Sequence, residues 1–319
     1  EKTVREALGA EKGDRFLALV RREVGGQDPN ALANAQPNSV PSDTRIVVNA
    51  PAYRMDVFEN GQLKKSFKVG IGYPEFPLPT GLRRANELLF NPTWTPPDEP
   101  WVKGNVQPGK TVEAGSKLNP LGIVKIPIGL PSLIHAGKSA DRLGTFASHG
   151  CVGLTNDQAR EFSLLLASLG GADLTEEDIA GFRKNSSKTE AIKLERDIPV
   201  ELRYETIVVQ DGTLRIMRDV YERGTNTEEN LRRVLLAFGV SLDNLQPDMR
   251  ERILDGLEQM AVDASGKPVE PGSANTNANA NSNSNSSRVT RNIKGAKEVT
   301  FEVAELRGKG YPAPVDAKF

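Results

Sequence analysis

The chain has 319 residues, a formal net charge of −1 and a single cysteine. That length supports a core of ordinary size without covalent staples, as one large domain with extensions or as two domains. The near-neutral charge argues against a nucleic-acid binder, the lone cysteine excludes an internal disulfide framework, and no apolar run approaches the ~18–20 residues of a membrane span.

Val4, Leu8, Phe16, Leu19 and Val20 make an apolar stripe ahead of Gly25-Gly26, which predicts a helical segment over 1–26. It begins at Glu1 without a signal-type apolar run, so the chain reads as a mature or truncated form, with a removed export signal left open. Residues 27–42, rich in Asn, Pro, Ser and Ala, read as a linker or docking arm. From Arg45 two β-rich runs meet at Asn60-Gly61, a strong hairpin signal. Residues 73–100 are proline-rich and predict an ordered surface loop. "GIVKIPIG" and "LIHA" predict two further strands, the second delivering His135.

The period then changes. Thr155 predicts an N-cap, Ala159, Phe162, Leu165, Leu166 and Leu169 one helix face, and Gly170-Gly171 its end. "TEEDIAGFRK" predicts a short capped helix, and "EAIKLER", "IPVELRYETIVV" and "TLRIMRDVY" predict strands, the last two joined at Asp211-Gly212. Residues 224–264 predict a helical extension of two helices broken near Pro247. Residues 265–290 include the Asn- and Ser-rich run "SANTNANANSNSNSS", which cannot bury a core and reads as a low-complexity linker. In the C-terminal segment 291–319, Val299, Phe301 and Val303 alternate as in a late strand or a docking segment.

Both histidines, His135 and His149, lie within sixteen positions of Cys151, in a chain that has no others. A thiol attacks as the thiolate and needs a nearby base or cation; an imidazole is such a base near neutral pH. Gly150 permits close backbone approach, and the amides of Gly150 and Cys151 are candidate oxyanion donors. An extended 149–151 segment would turn His149 and Cys151 to one face. A zinc site built from His135, His149 and Cys151 with Asp141 or water is the main alternative, and a buried structural cluster is another. Trp94 and Trp101, in the proline-rich stretch, are candidates for stacking on a substrate or for packing. The charged helices at 227–262 read as a solvated pair packed on the core.

His135, "AGKSADRLGTFA", Ser148-His149-Gly150-Cys151 and the apolar Val152 resemble the signature of the L,D-transpeptidase catalytic domain, the YkuD family. The likeness extends to "PEFPLPTGLRRANELLFNPTW", "SKLNPLG" and "RDIPVELRYETIVVQDGTLRIMRDVY", and covers residues 43–223, the envelope-type long form. It implies a mostly-β, α+β fold: a β-sandwich catalytic domain with the helical N-terminal segment and helical C-terminal extension outside it. It also implies cysteine-dependent acyl transfer on peptidoglycan stem peptides, with release of D-Ala and transfer to a neighbouring stem, an envelope-protein amine or water. No cofactor or metal is implied, and the expected location is the bacterial cell envelope, periplasmic or otherwise extracytoplasmic. Cys151 carries over as nucleophile and His135 as its base, oriented by the Ala136 carbonyl. Ser148, His149 and Gly150 carry over as pocket and oxyanion-hole elements. The departures are Ala136, where the family commonly has glycine or a small polar residue, and Gly153, where most envelope-type members carry an arginine. Arg142, Arg83, Arg84 and Lys138 are candidates to supply that charge, with Arg142 and Trp94 candidate substrate contacts. A non-catalytic wall-binding scaffold is the competing function.

Overall fold

The computed structural model describes residues 36–99, 101–271 and 289–316. The helix expected over 1–26, most of the linker 27–42 and the Asn- and Ser-rich run lie outside them. β1 (Arg45–Asn49), β2 (Arg54–Glu59) and β3 (Gln62–Lys68) form an antiparallel meander. Glu59 faces Gln62, so Asn60 and Gly61 alone make the turn, with φ of 49° and 80°. Two positive φ values give the turn whose twist matches that of its strands, and Asn-Gly adopts it at least cost. β4 (Ile71–Gly72) follows.

The proline-rich stretch is where expectation and structure part. Residues 81–90 are not loop: they form β5 (Gly81–Phe90), which lies inside the large sheet between two other strands. Prolines bracket this run without entering it, so its amides remain free to pair. Ala85, Leu88 and Phe90 are fully buried there. What makes it a strand is its non-local partner, Glu190–Arg203.

β6 (Val124–Pro127), β7 (Leu133–His135), β8 (Phe146–Ser148) and β9 (Val152–Gly153) lead to α1 (Asn156–Gly170) and α2 (Glu176–Lys184). α1 starts as predicted. The Thr155 hydroxyl accepts from the Gln158 amide and the Gln158 side chain accepts from the Thr155 amide, a reciprocal capping box. Gly171, at φ 78°, ends the helix in the left-handed conformation. Phe162 meets Phe67 edge-on at 5.8 Å, which fixes α1 to the sheet.

The strands expected at 190–196 and 198–209 divide differently: residues 190–203 form one strand, β10 (Glu190–Arg203), with a register shift between Lys193 and Ile198, and the end of the second expected strand belongs to the next one. β11 (Ile207–Gln210) and β12 (Thr213–Met217) form the second predicted hairpin, followed by α3 (Glu228–Ala237), α4 (Pro247–Met260) and β13 (Glu298–Glu302). Strand order in the eight-stranded sheet is β3-β2-β1-β10-β5-β6-β7-β9; β4 pairs with β8, and β11-β12-β13 form a third sheet. The class is mostly β with helices, α+β, as the sequence predicts.

There are two main cores. The larger lies under the eight-stranded sheet and α1. The other joins Ile216, Leu235, Ile253, Met260 and Phe301 between the three-stranded sheet and α3 and α4. Each such side chain, fully buried, contributes about 1.5–3 kcal/mol, enough in sum to hold both helices on that sheet. Val299 and Phe301 of the alternation lie in a true strand, antiparallel to β12, and Val303 follows its end.

Candidate active site

Three strands position the cysteine. β7 and β9 pair in parallel, placing His135 opposite Gly153, and the Leu154 amide donates to the His135 carbonyl at 2.8 Å. Cys151 immediately precedes β9, beside the strand that carries His135. On the other side Gly70 and Gly153 exchange both backbone hydrogen bonds, at 2.9 and 2.8 Å. β4 presses directly on the cysteine loop: a Cβ on Gly72 would lie 2.1 Å from the Phe76 carbonyl oxygen and 3.1 Å from the Gly150 nitrogen. Two residues after Gly153 the chain enters the Thr155 cap, so the loop is anchored at both ends.

His135 is buried, and its Nδ1 lies 2.6 Å from the Ala136 carbonyl oxygen. A carbonyl only accepts, so Nδ1 carries the proton and Nε2 presents a lone pair. Burial is the main force that lowers the imidazole pKa, to about 3, and Lys138 adds to it; backbone bonds to Ala136 and Leu121 oppose the shift. The ring is therefore neutral at physiological pH.

The cysteine loop is tied to itself. Ser148 donates its hydroxyl to the Cys151 carbonyl at 2.6 Å and accepts from the Cys151 amide at 3.0 Å. The Cys151 amide, expected to be an oxyanion donor, is thus engaged by Ser148. Gly150 has φ of 92°, so the 149–151 segment is not the extended strand that would turn His149 and Cys151 to one face. Ser132, absent from the sequence-based candidates, is buried and donates to the Gly150 carbonyl at 2.7 Å. Burial pushes the Cys151 thiol up; the Leu133 amide and Lys138 pull it down, without overcoming burial.

His149 sits in an aromatic box. Trp101 stacks on it at 3.8 Å with planes 12° apart, and Tyr73 and Phe76 meet it edge-on at 5.0 and 4.7 Å. Trp94 instead pairs through its backbone with Val112, so Trp101 is the tryptophan that meets His149. Burial first, then Lys138 and Arg291, lower the His149 pKa to about 4. Arg142 donates to the Phe146 carbonyl and reaches the Tyr73 hydroxyl at 3.5 Å, which places its guanidinium beside the box. Arg83 and Arg84 lie on β5, separated from β9 by β6 and β7. The rim is completed from the far end of the chain: Thr290 donates its amide and hydroxyl to Glu75, next to Phe76, at 2.9 and 2.7 Å. The aromatic-rich stretch hinted at the box, but no local signal pointed to Ser132, Glu75 or Thr290.

His135, His149, Cys151 and Asp141 do not assemble as a ligand set; among the described residues no group of three or more His, Cys, Asp or Glu side chains could hold a metal ion. No helix among them is long and apolar enough to cross a membrane.

The two histidines make a pH prediction. Their folded pKa values, about 3 and about 4, lie below the ordinary 6.5. Between about pH 4 and 6.5 the unfolded chain binds more protons at these sites, so their contribution to stability is complete above 6.5 and falls as pH drops below it. Thermal midpoints measured from pH 7 to 4 should decline, and His135→Gln and His149→Gln should each flatten the decline. Unchanged slopes in both variants would contradict the burial of neutral rings.

Residues 43–168 match the family model of the L,D-transpeptidase catalytic domain, YkuD. The chain is 23% identical over 170 residues to a putative L,D-transpeptidase, YqjB, of Bacillus subtilis (strain 168), covering 51% of this chain and 89% of that protein. Similar solved structures include an L,D-transpeptidase from Mycobacterium smegmatis (16% identity, 50% of this chain and 58% of that chain, TM-score 0.31). Another is the catalytic domain of an E. faecium L,D-transpeptidase (16% identity, 52% of this chain and 100% of that chain, TM-score 0.32). The chain spans about half the length of a third similar structure, an Ldtfm-avibactam carbamoyl enzyme, 49% of which it covers at 17% identity and a TM-score of 0.33. Residues 43–168 of this chain are thus similar to the L,D-transpeptidase catalytic domain of the YkuD family.

Proposed function

We propose that the protein is a cysteine-dependent peptidoglycan L,D-transpeptidase. The observation that carries this is the β7–β9 pairing, which brings His135, its Nδ1 proton held by Ala136, to the strand that begins just after Cys151. Cys151 Sγ attacks the carbonyl at the L-centre of the diamino acid in a tetrapeptide stem as its proton passes to His135 Nε2. The tetrahedral intermediate collapses by breaking the bond to D-Ala, whose amine takes the proton from His135. The thioester is then opened by an amine, giving a 3→3 cross-link or attachment of an envelope protein, or by water, giving L,D-carboxypeptidase activity. With the thiol pKa raised and the imidazole pKa lowered, a resting thiolate–imidazolium pair is disfavoured, so proton transfer accompanies attack. The Gly150 amide is the backbone donor available to the developing oxyanion. The setting is the extracytoplasmic space of a bacterial envelope.

Gly153 favours a second reading, a wall-binding scaffold that has lost the chemistry. The two separate on incubation with a tetrapeptide stem or a carbapenem. A covalent adduct on Cys151 by intact mass, absent in Cys151→Ala, is expected. An accessible thiol that forms no adduct, with peptidoglycan pull-down persisting in Cys151→Ala, would establish the scaffold instead.

A further inference from the structure

A Cβ on Gly153 would lie 2.7 Å from Cγ, 2.8 Å from Cε and 3.3 Å from Cδ of Lys138. Three successive methylenes of one lysine thus lie along the bare backbone of residue 153. Real Cβ atoms do not come this close, so a side chain at 153 would force the lysine stem to shift. The lysine is also fixed at its root: the Lys138 amide donates to the Leu154 carbonyl at 3.0 Å, extending the β7–β9 ladder past His135. Just before it, Gly137, at φ 86°, packs on Pro120 and Gly122 where a Cβ would lie 2.7 Å from the Pro120 oxygen. Lys138 therefore leaves the ladder three residues after the candidate base and lies across β9 two residues from the candidate nucleophile.

We propose that Lys138 is the positioning cation of this site, the electrostatic partner of the Cys151 thiolate, and that Gly153 is the vacancy that admits its side chain. The proposal rests on the transferase reading for its purpose but not for its chemistry. A cation beside a thiol favours the thiolate, and the same cation disfavours protonation of nearby imidazoles. Lys138 stands in this relation to all three groups: it pulls Cys151 down, and it adds to the lowering of both His135 and His149. Burial lowers the Lys138 pKa; among the described residues the charges that bear on it are Cys151, which favours its ammonium, and Arg142, which opposes it. Arg291 bears on His149. No carboxylate is among these groups, so the ammonium is left for the thiolate. The departure at Gly153 is then a relocation of charge to another strand and not its loss.

The test is the pH dependence of Cys151 alkylation by iodoacetamide in the full chain, which needs no transfer activity. Lys138→Met should move the alkylation inflection upward by about one pH unit, slowing labelling at pH 7 about tenfold. Lys138→Arg should retain most of the wild-type rate. Gly153→Arg alone forces two long cationic side chains to compete for one space and should impair labelling by disturbing the loop, whereas Gly153→Arg with Lys138→Ala should recover it, since a single cation then occupies that space. Thermal melts check that each variant folds, and if Lys138→Met does not, Lys138→Gln takes its place. An inflection unchanged in the neutral variant, or a double variant no better than Gly153→Arg, overturns the proposal. A shifted inflection with no acylation by stem peptide would instead sink the transferase reading and leave the lysine's role standing.

Discussion

Replacing His135 with alanine is expected to slow acylation of Cys151 by a tetrapeptide stem about 10²–10⁴-fold, the usual contribution of a positioned general base. The argument is geometric first. Nδ1 is committed to the Ala136 carbonyl at 2.6 Å, so Nε2 is the only ring nitrogen able to receive a proton. The ring is held neutral by burial, with its pKa lowered to about 3, so the base is in its working form across the physiological range. A base this weak gains little by holding the proton at rest, which is why its effect should appear in the acylation step and not in the resting thiol. Single-turnover mass spectrometry from pH 6 to 9 gives the rate. His135→Ala should lose it throughout, while Ala136→Ser, which keeps the carbonyl, should stay within a few-fold of wild type. An alanine variant that acylates within threefold of wild type would remove His135 from the mechanism.

The second large effect is on stability. Asp56→Ala should destabilise the fold by about 3–5 kcal/mol, the range seen when one partner of a buried ion pair is removed. Asp56 is 2% exposed. It accepts from Arg54 at 2.9 Å, from Ser66 at 2.5 Å and from the Tyr311 hydroxyl at 3.0 Å. Burial pushes its carboxyl up against the pull of those three partners, so the ionised pair is no net bargain against an apolar core. Cutting the carboxylate alone is different, because Arg54 loses a buried carboxylate partner and two buried hydroxyls lose their acceptor. Tyr311 also exchanges backbone hydrogen bonds with Val209 and Asp211 and packs edge-on against Phe58, so this network ties β2 to the three-stranded sheet. Urea unfolding should show the loss in Asp56→Ala, with about 1 kcal/mol in Tyr311→Phe. A loss below 1 kcal/mol in Asp56→Ala would show that the network is incidental.

Much of this protein is written in short windows. Asn60-Gly61 sets its turn because two adjacent residues must take positive φ. Thr155 and Gln158 start α1 because a cap needs only the four residues it closes. The gathering of His135, His149 and Cys151 is visible because these residues are so scarce elsewhere. The tail "GYPAPVDAKF", by contrast, carries no local signal, because Tyr311 acquires its role from Asp56, 255 positions away. The sequence favours Trp94 as a substrate contact; the fold instead stacks Trp101 on His149.

The sequence by itself determined the hairpins, the capped helix and the cluster of thiol and imidazoles, since each depends on neighbours within a few residues, while the mostly-β class followed from the family resemblance. Tertiary structure decided the rest. It made β5 a strand by laying β10 beside it, brought Thr290 to Glu75 across 215 positions, and set Lys138 in the space that Gly153 leaves open. Those are pairings and exclusions of volume between distant segments, and no local pattern of residues records which segment will meet which.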